Sequence, residues 1–403
     1  KEGGREGAGG VRGQKLRSAL IMAEVALSLV VLIGAGLLIK SLNTLLGVNT
    51  GFVSENLLTL NVEMSRFKEP ARRAALARQV VERVAQVPGV EAVGGGTGLP
   101  PQTPQRNTRF EIEGIPDLSN GGDIAYFMAA TPDYFRALGT PLVQGRVFDE
   151  RDSETSPKVV IINQSLARRL FPNQEATGRH LKLISPDQAP DWREIVGVVG
   201  DIRYRGLDDP GEAAVYTPFS QTPFYWTYLM VRTSADPAAV AAGVRKAISS
   251  VDSNLTAASL RTMDDLVSES VSQPRFNATL LSIFAGLALV LASVGIYGVI
   301  SYTVAQRTRE IGIRMALGAR PSDVLRLVLT KGMRLVLAGV VIGLAGAFVL
   351  TRVLESMLFG VTTTDPATYL IVTLLLAFVA LVACYTPARR ATKVDPMVAL
   401  RYE

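Results

Sequence analysis

A chain of 403 residues that is 48% hydrophobic, with a mean hydropathy of +0.25, is too apolar for an ordinary soluble enzyme and long enough for two or three domains. One cysteine, Cys384, excludes an intrachain disulfide framework, and one histidine, His180, excludes a histidine-cluster metal site and leaves Ser-His-Asp chemistry without support. The net charge of +6 divides unevenly: residues 47–276 hold 24 Lys+Arg against 27 Asp+Glu and the remainder 18 against 9, which argues for a membrane protein and against a nucleic-acid binder.

Residues 1–18 carry five cations and two anions and read as a cytoplasmic segment. The first membrane helix is predicted at 19–46, where "ALIMAEVALSLVVLIGAGLLI" contains one charge, Glu24. About 20 apolar residues suffice to cross ~30 Å of hydrocarbon. The run is too long for a signal peptide and no small-residue cleavage site precedes Lys40, so the helix is expected to be retained. Glu24 lies near the cytoplasmic end, and the other spans offer no second carboxylate for a proton relay.

Residues 47–276 are predicted to form an α+β domain outside the membrane. "LLTLNVE" reads as a strand, "EPARRAALARQVVERVAQVPG" as an amphipathic helix closed by Pro88-Gly89, and "VEAVGGGTGLP" as a strand running into a loop. The "GGGTG" at 94–98 is not a phosphate loop, because Leu99-Pro100-Pro101 follows where a helix N-terminus is needed; a flexible loop or turn is expected. "GLLIKS" also fails the phosphate-loop spacing, so this sequence predicts no ATP site of its own. Later, "TYLMVRT", "DPAAVAAGVRKAISSVD" and "LTAASLRTM" read as strand, helix and strand. Two βαβ-like parts thus bracket an insertion at about 110–223.

Three more spans follow: 277–304, 324–350 and 367–386. The third carries Arg326, Lys331 and Arg334 in its first part, where long side chains snorkel to the headgroups. Cations enrich the 305–323 loop and the 387–403 tail but not the 351–366 loop, which places both termini and 305–323 in the cytoplasm. Gly295 with Gly298, and Gly339 with Gly343 and Gly346, form small-residue faces suited to helix packing, within one bundle or against a second half of the same kind.

The most informative stretch is "TREIGIRMALGAR", 308–320. It reads as a short amphipathic helix with Ile311, Ile313, Met315 and Leu317 on an apolar side and Arg307, Glu310 and Arg314 on a polar one. Gly318 fits a C-cap and Pro321 a new helix start. Such a helix suits a groove on a cytoplasmic partner. A turn decorated by inside-positive charge explains the same residues equally well.

This loop, the tail "PARRATKVDPMVALRYE" and the entry "LRSALIMAEVALSLVVLIGAGLLIKSLNTLLGVNTGF" resemble the FtsX-like permease family. More closely the chain resembles macrolide-exporter (MacB)-type ABC transporter permeases with a periplasmic core domain, which "TPDYFRALGTPLVQGRVF" and "VVIINQSLARRLFP" resemble. The resemblance implies a multi-pass protein of the bacterial inner membrane, not an enzyme and without cofactor or metal. It passes motion from a cytoplasmic ATP-binding subunit to the periplasmic domain. It implies an ATPase-coupling set of Arg309, Glu310, Ile311, Gly312, Arg314, Leu317, Gly318 and Ala319. A second permease half or homodimer partner, and a periplasmic adaptor, are further implied partners. The opening "KEGGREGAGGVRGQKLRSAL", which starts with Lys and not Met, resembles the junction of duplicated orphan permeases, so the chain is expected to be the C-terminal half of one. The alternative is a membrane-anchored sensor or scaffold regulating an envelope partner. An enzyme on a membrane tether lacks a nucleophile–base pair. The substrate is not legible.

Overall fold

The computed structural model describes residues 6–101, 106–114, 123–185, 188–209, 211–317 and 319–392. Two compact units divide the chain: Lys1–Leu46 with Gln273–Glu403, and Gly47–Ser272.

The long helix α1 (Glu6–Leu46) opens the helical unit. The second unit then runs through β1 (Leu57–Glu63), α2 (Pro70–Ala85), β2 (Val90–Gly96), β3 (Arg106–Ile112) and β4 (Asp123–Ala130). It continues with α3 (Tyr134–Leu138), β5 (Leu142–Gly145), β6 (Val159–Asn163), α4 (Gln164–Leu170), β7 (His180–Ser185) and β8 (Gln188–Val199). It closes with β9 (Ala214–Pro218), β10 (Trp226–Thr233), α5 (Pro237–Val251), β11 (Thr256–Thr262) and α6 (Met263–Ser270).

The strand order β11-β1-β10-β2, antiparallel throughout, interleaves the two βαβ parts as a split-βαβ sheet. Period-2 alternation explains its two faces. Leu58, Leu60 and Val62 of β1 with Leu229 and Val231 of β10 face α2 and α5, which return Val80, Val84, Val244 and Ile248 at helical spacing. Leu57 and Met230 point the opposite way, into a second core around Tyr134, Phe135 and Tyr216. Each such apolar side chain contributes about 1.5–3 kcal/mol on burial. Pro70 and Pro237 start the two helices where a missing N–H costs nothing.

The insertion is more ordered than its sequence suggests. β4 pairs with β3, β3 with β7, β7 with β8, β8 with β6, β6 with β9, and β9 again with β4, so six strands close a ring. Phe110, Ile162, Leu181, Ile195 and Val215 belong to its core. The expected loop at 94–98 needs correction: Gly94, Gly95 and Gly96 belong to β2 and pair with Met230, Leu229 and Tyr228. Glycine is required because Tyr134 lies directly over Gly94 and Gly96, where a Cβ would collide. Close packing, not a ligand, accounts for the run.

Asn163 joins three segments of this unit and is 1% exposed. Its carbonyl oxygen accepts from the Leu166 and Ala214 backbone N–H groups at 3.2 and 2.9 Å, capping α4 and holding β9. Its amide donates to Asp201 and to the Glu212 carbonyl at 2.7 and 2.9 Å. Asn163→Ala therefore strands several buried groups and is expected to destabilise this unit by about 2–4 kcal/mol, read as a lowered denaturant midpoint for the isolated unfolding transition of this unit.

In the helical unit α7 (Ser272–Gln306) is followed by the short α8 (Thr308–Ala316), then α9 (Pro321–Leu350), a 3-10 turn (Thr351–Met357) and α10 (Pro366–Ala391). Among the described residues, α1, α7, α9 with its turn, and α10 are the four helices long and apolar enough to cross a membrane. α1 sits centrally: Val25, Leu29, Ile33 and Leu37, spaced by four, pack with Val336 and Val340 of α9 and Val372 and Leu376 of α10. Large apolar side chains such as Leu287, Val294, Val341 and Phe378 are left exposed. That surface suits hydrocarbon and is far more apolar than a soluble monomer tolerates.

Asp365 caps α10, accepting from the Thr368 backbone N–H at 3.0 Å, and pairs with Lys40 of α1 at 2.8 Å. The Lys40 ammonium, then the Thr368 hydroxyl and N–H, hold its carboxyl down from the ordinary 3.8 to about 2. A depressed folded-state pKa stabilises fully above the unfolded value and is lost as pH falls from 3.8 toward 2. Asp365→Ala removes cap and pair together, for about 1–2 kcal/mol. Detergent-solubilised native protein should lose helical stability in that acid window and the variant should lose less over the same range, as followed by circular dichroism.

Candidate coupling site

The site is built where α7 ends. The Thr308 hydroxyl donates to the Val304 and Ala305 carbonyls at 3.1 and 3.0 Å, and the Arg307 N–H donates to the Val304 carbonyl at 3.1 Å, turning the chain out of α7. α8 then forms with Glu310 in its first turn and Arg314 in its last, each at the helix end its charge favours. Beyond it, the Leu317 N–H donates to the Ile313 carbonyl and the Ala319 N–H to that of Arg314, both at 3.0 Å. Asp323 accepts from the Arg320 N–H at 3.0 Å, and Pro321 begins α9.

One face of α8 is held. Ile311, 3% exposed, packs with Val324 of α9 and Ala391 of α10, with Val304 and Met315 beside them. Gly312 is buried as well. A cavity of about 30 Å³ is lined by Arg307, Glu310, Ile311 and Arg314 together with Thr303 of α7 and Lys331 of α9. Among the described residues nothing polar is stranded by this contact, so α8 is seated on the ends of three helices by a small apolar plug.

The opposite face is free. Ile313 is 42% and Leu317 83% exposed. They lie beside the Glu310–Arg314 pair, whose atoms lie 2.7 Å apart; Arg307 adds a second cation 3.6 Å from Glu310. All three charged side chains are over a third exposed, so the pair contributes at most about 0.5 kcal/mol to folding. The single apolar side expected for α8 is therefore corrected. At about 100° per residue, Met315 falls about 40° from Ile311, whereas Ile313 and Leu317 fall about 200° and 240° away. Two apolar pairs, each spaced by four, point in opposite directions: Ile311/Met315 into the bundle and Ile313/Leu317 out of it.

Of the expected coupling set, Leu317 lies on the outward face, Glu310 and Arg314 at its edge, where they also line the small cavity, Ile311 and Gly312 on the inward face, and Ala319 in the half-buried link to α9. Arg309 is in α8, but its side chain and Gly318 as a whole fall outside the described residues, as does the tail from 393. Val324 and Ala391, which seat Ile311, were not singled out by sequence; the small residues Ala388 and Ala391 at the end of α10 are the signal that marks such a seat.

The packing glycines separate into kinds. A Cβ on Gly339 would meet Val25 Cβ at 2.8 Å and the Met22 carbonyl at 3.0 Å, and one on Gly343 the Ala26 carbonyl at 2.9 Å. A Cβ on Gly346 would touch only Val30, at 3.4 Å. Gly295 lies against the Glu24 carboxyl group of α1, where a Cβ would collide, and Gly298 meets nothing within 4 Å. Gly36 against Thr368 and Gly332 against Cys384, with 2.8 Å contacts, are close approaches the sequence did not reveal.

Comparison with known proteins places this architecture. Residues 18–247 match the family model of the MacB-like periplasmic core domain, and residues 282–396 that of the FtsX-like permease C-terminal region. The macrolide export ATP-binding/permease protein MacB of Chromobacterium violaceum is 29% identical over 287 residues, covering 67% of this chain and 42% of that protein. The pyoverdine export ATP-binding/permease protein PvdT of Pseudomonas syringae pv. syringae is 24% identical, covering 89% of this chain and 56% of that protein. The chain thus spans about half the length of the curated relatives it matches. Among solved structures, the periplasmic region of MacB from Actinobacillus actinomycetemcomitans is similar with a TM-score of 0.36 at 17% identity, over 55% of this chain and 95% of that one. Four membrane helices, an α+β domain inserted between the first and second, and these two family matches make the chain a member of the FtsX-like permeases of the MacB type, with its core domain periplasmic and its helices in the inner membrane.

Proposed function

We propose that the chain is the permease part of an ABC-type export or mechanotransmission system, in which α8 is the coupling helix. The observation that carries this reading is the outward face of α8: Ile313 and Leu317 exposed beside a charged Glu310–Arg314 pair, on a helix whose other face is plugged into α9 and α10. An apolar pair rimmed by charge is the form of a helix-in-groove contact. A cytoplasmic ATP-hydrolysing partner grips that face, and its motion passes through Ile311 to the ends of α7, α9 and α10. The helices carry the motion to the periplasmic domain, which handles the substrate. Both termini lie in the cytoplasm, where α8 meets its partner. The names of two relatives couple ATP binding to permease function, and their different cargoes, macrolides and pyoverdine, leave this chain's cargo to be found. The chain acts with a second permease half, as the C-terminal half of a duplicated permease or as one of two copies, and an adaptor in the periplasm completes the path.

The test is to solubilise native membranes mildly, recover this chain and assay for a co-purifying ATPase, with Glu310→Lys and Gly312→Trp in parallel. The expected result is ATPase activity that accompanies the native chain and is lost with both variants. Recovery of an envelope protein with no ATPase would overturn the reading in favour of a membrane-anchored scaffold.

A further inference from the structure

Three cations from two helices line one cavity of the helical unit. Arg17 comes from α1; Lys331 and Arg334, three residues apart, come from α9; Tyr302 of α7 completes the wall. The cavity holds about 330 Å³, within the ~300–1,000 Å³ of small-molecule sites. The Arg17 guanidinium lies 4.1 Å from the centroid of the Tyr302 ring, which fixes its direction. Among the described residues, none of these three cations forms an ion pair. Glu310, which lines the neighbouring small cavity together with Lys331, is already engaged by Arg314 at 2.7 Å. Three converging, unneutralised cations on a membrane bundle call for an anion.

Position decides which anion. Arg17 lies 29 residues before Leu46, where the periplasmic domain begins, so along α1 the cavity is about 44 Å from that junction. That length equals a bilayer with its headgroups, about 40–45 Å. The cavity therefore sits at headgroup level in the opposite leaflet. Val299 and Leu335 also line it, an apolar wall that a free anion would not use and an acyl-chain root would. We propose that this cavity binds the phosphate-bearing headgroup of an anionic glycerophospholipid, held by Arg17, Lys331 and Arg334. Because Lys331 also lines the small cavity under α8, the lipid ties α1 and α9 together next to that helix. The proposal stands apart from the coupling role: binding is read without any partner present.

The experiment is native mass spectrometry of the full chain released from nanodiscs of phosphatidylcholine doped with phosphatidylglycerol. The native chain should retain phosphatidylglycerol in preference to phosphatidylcholine. Arg334→Gln should lower that preference about fivefold, and Arg17→Gln with Lys331→Gln further by a similar factor each, as expected for ~1 kcal/mol per cation. Arg334→Lys should preserve most of it. Arg245→Gln with Lys246→Gln, exposed in α5 of the other unit, should leave it unchanged while removing as much charge as Arg17→Gln with Lys331→Gln. Equal retention of the two lipids by the native chain would overturn the proposal without reference to any variant. So would displacement of phosphatidylglycerol by inorganic phosphate, which would assign the cavity to a free anion, or an equal loss in the α5 variant.

Discussion

Replacing Ile313 and Leu317 together with aspartate is expected to weaken binding of the proposed ATP-hydrolysing partner by about a hundredfold or more, while the chain still folds and inserts. Both side chains are exposed, at 42% and 83%, so their removal from the chain's own packing costs no more than about 0.5 kcal/mol. In a groove on a partner the same side chains become the buried centre of the contact, and truncation of such anchors costs about 2 kcal/mol or more each. Aspartate adds the desolvation of a charge to that loss. The comparison variant is Ile311→Ala. Ile311 is 3% exposed, and its loss empties the plug between α8, Val324 and Ala391, so it should loosen α8 on the bundle by about 2–5 kcal/mol. Partner binding measured by surface plasmon resonance, beside a thermal melt of each variant, separates the two roles. Equal melting of the native and doubly substituted chains with a large loss of binding is the expected pattern.

Gly343→Val should destabilise the helical unit by about 3 kcal/mol. Its Cβ alone would stand 2.9 Å from the Ala26 carbonyl and 3.0 Å from Ala26 Cα, and backbone cannot swing aside as a side chain does. Gly339→Val should be similar, since Val25 Cβ and the Met22 carbonyl crowd it at 2.8 and 3.0 Å. Gly298→Val, on a helix face that meets nothing within 4 Å, should change stability by less than about 0.5 kcal/mol. Denaturing-detergent titration of the purified variants reads the order directly. In lipid, where no hydrophobic drive separates helix contact from helix–lipid contact, backbone approach at glycine is what holds α1 against α9. A Gly298 variant as unstable as Gly343→Val would show that α7 packs differently from the structure described.

The helical unit was legible because the bilayer imposes one rule, about 20 predominantly apolar residues, that a sequence obeys locally. The split-βαβ sheet was half legible: β1, α2, β10 and α5 show clean periods, but the pairing of β1 with β10 and β11 joins residues some 170–200 positions apart, on which periodicity is silent. The six-stranded ring in the insertion was invisible for the same reason, since its closure by β4 and β9 depends on register between distant strands. At α8 the sequence revealed the helix and its charges but merged two apolar pairs into one side. Only the seat formed by Val324 and Ala391, one in the next helix and one far along the chain, decides which pair is buried. The glycines mislead in a similar manner. Gly295 and Gly298 look alike in a small-residue stripe, yet one faces the Glu24 carboxyl group and the other open space, because a stripe says nothing about which helix lies opposite.

The measurement that tests the account most directly places a photoreactive phenylalanine analogue at Leu317, and separately at Met315, in the chain expressed in its native membrane. Irradiation should join Leu317, on the outward face of α8, to an ATP-hydrolysing protein, and should give no such adduct from Met315, which packs beside Ile311. Adducts of both positions with lipid or with this chain alone, and none with an ATPase, would contradict α8 as a coupling helix.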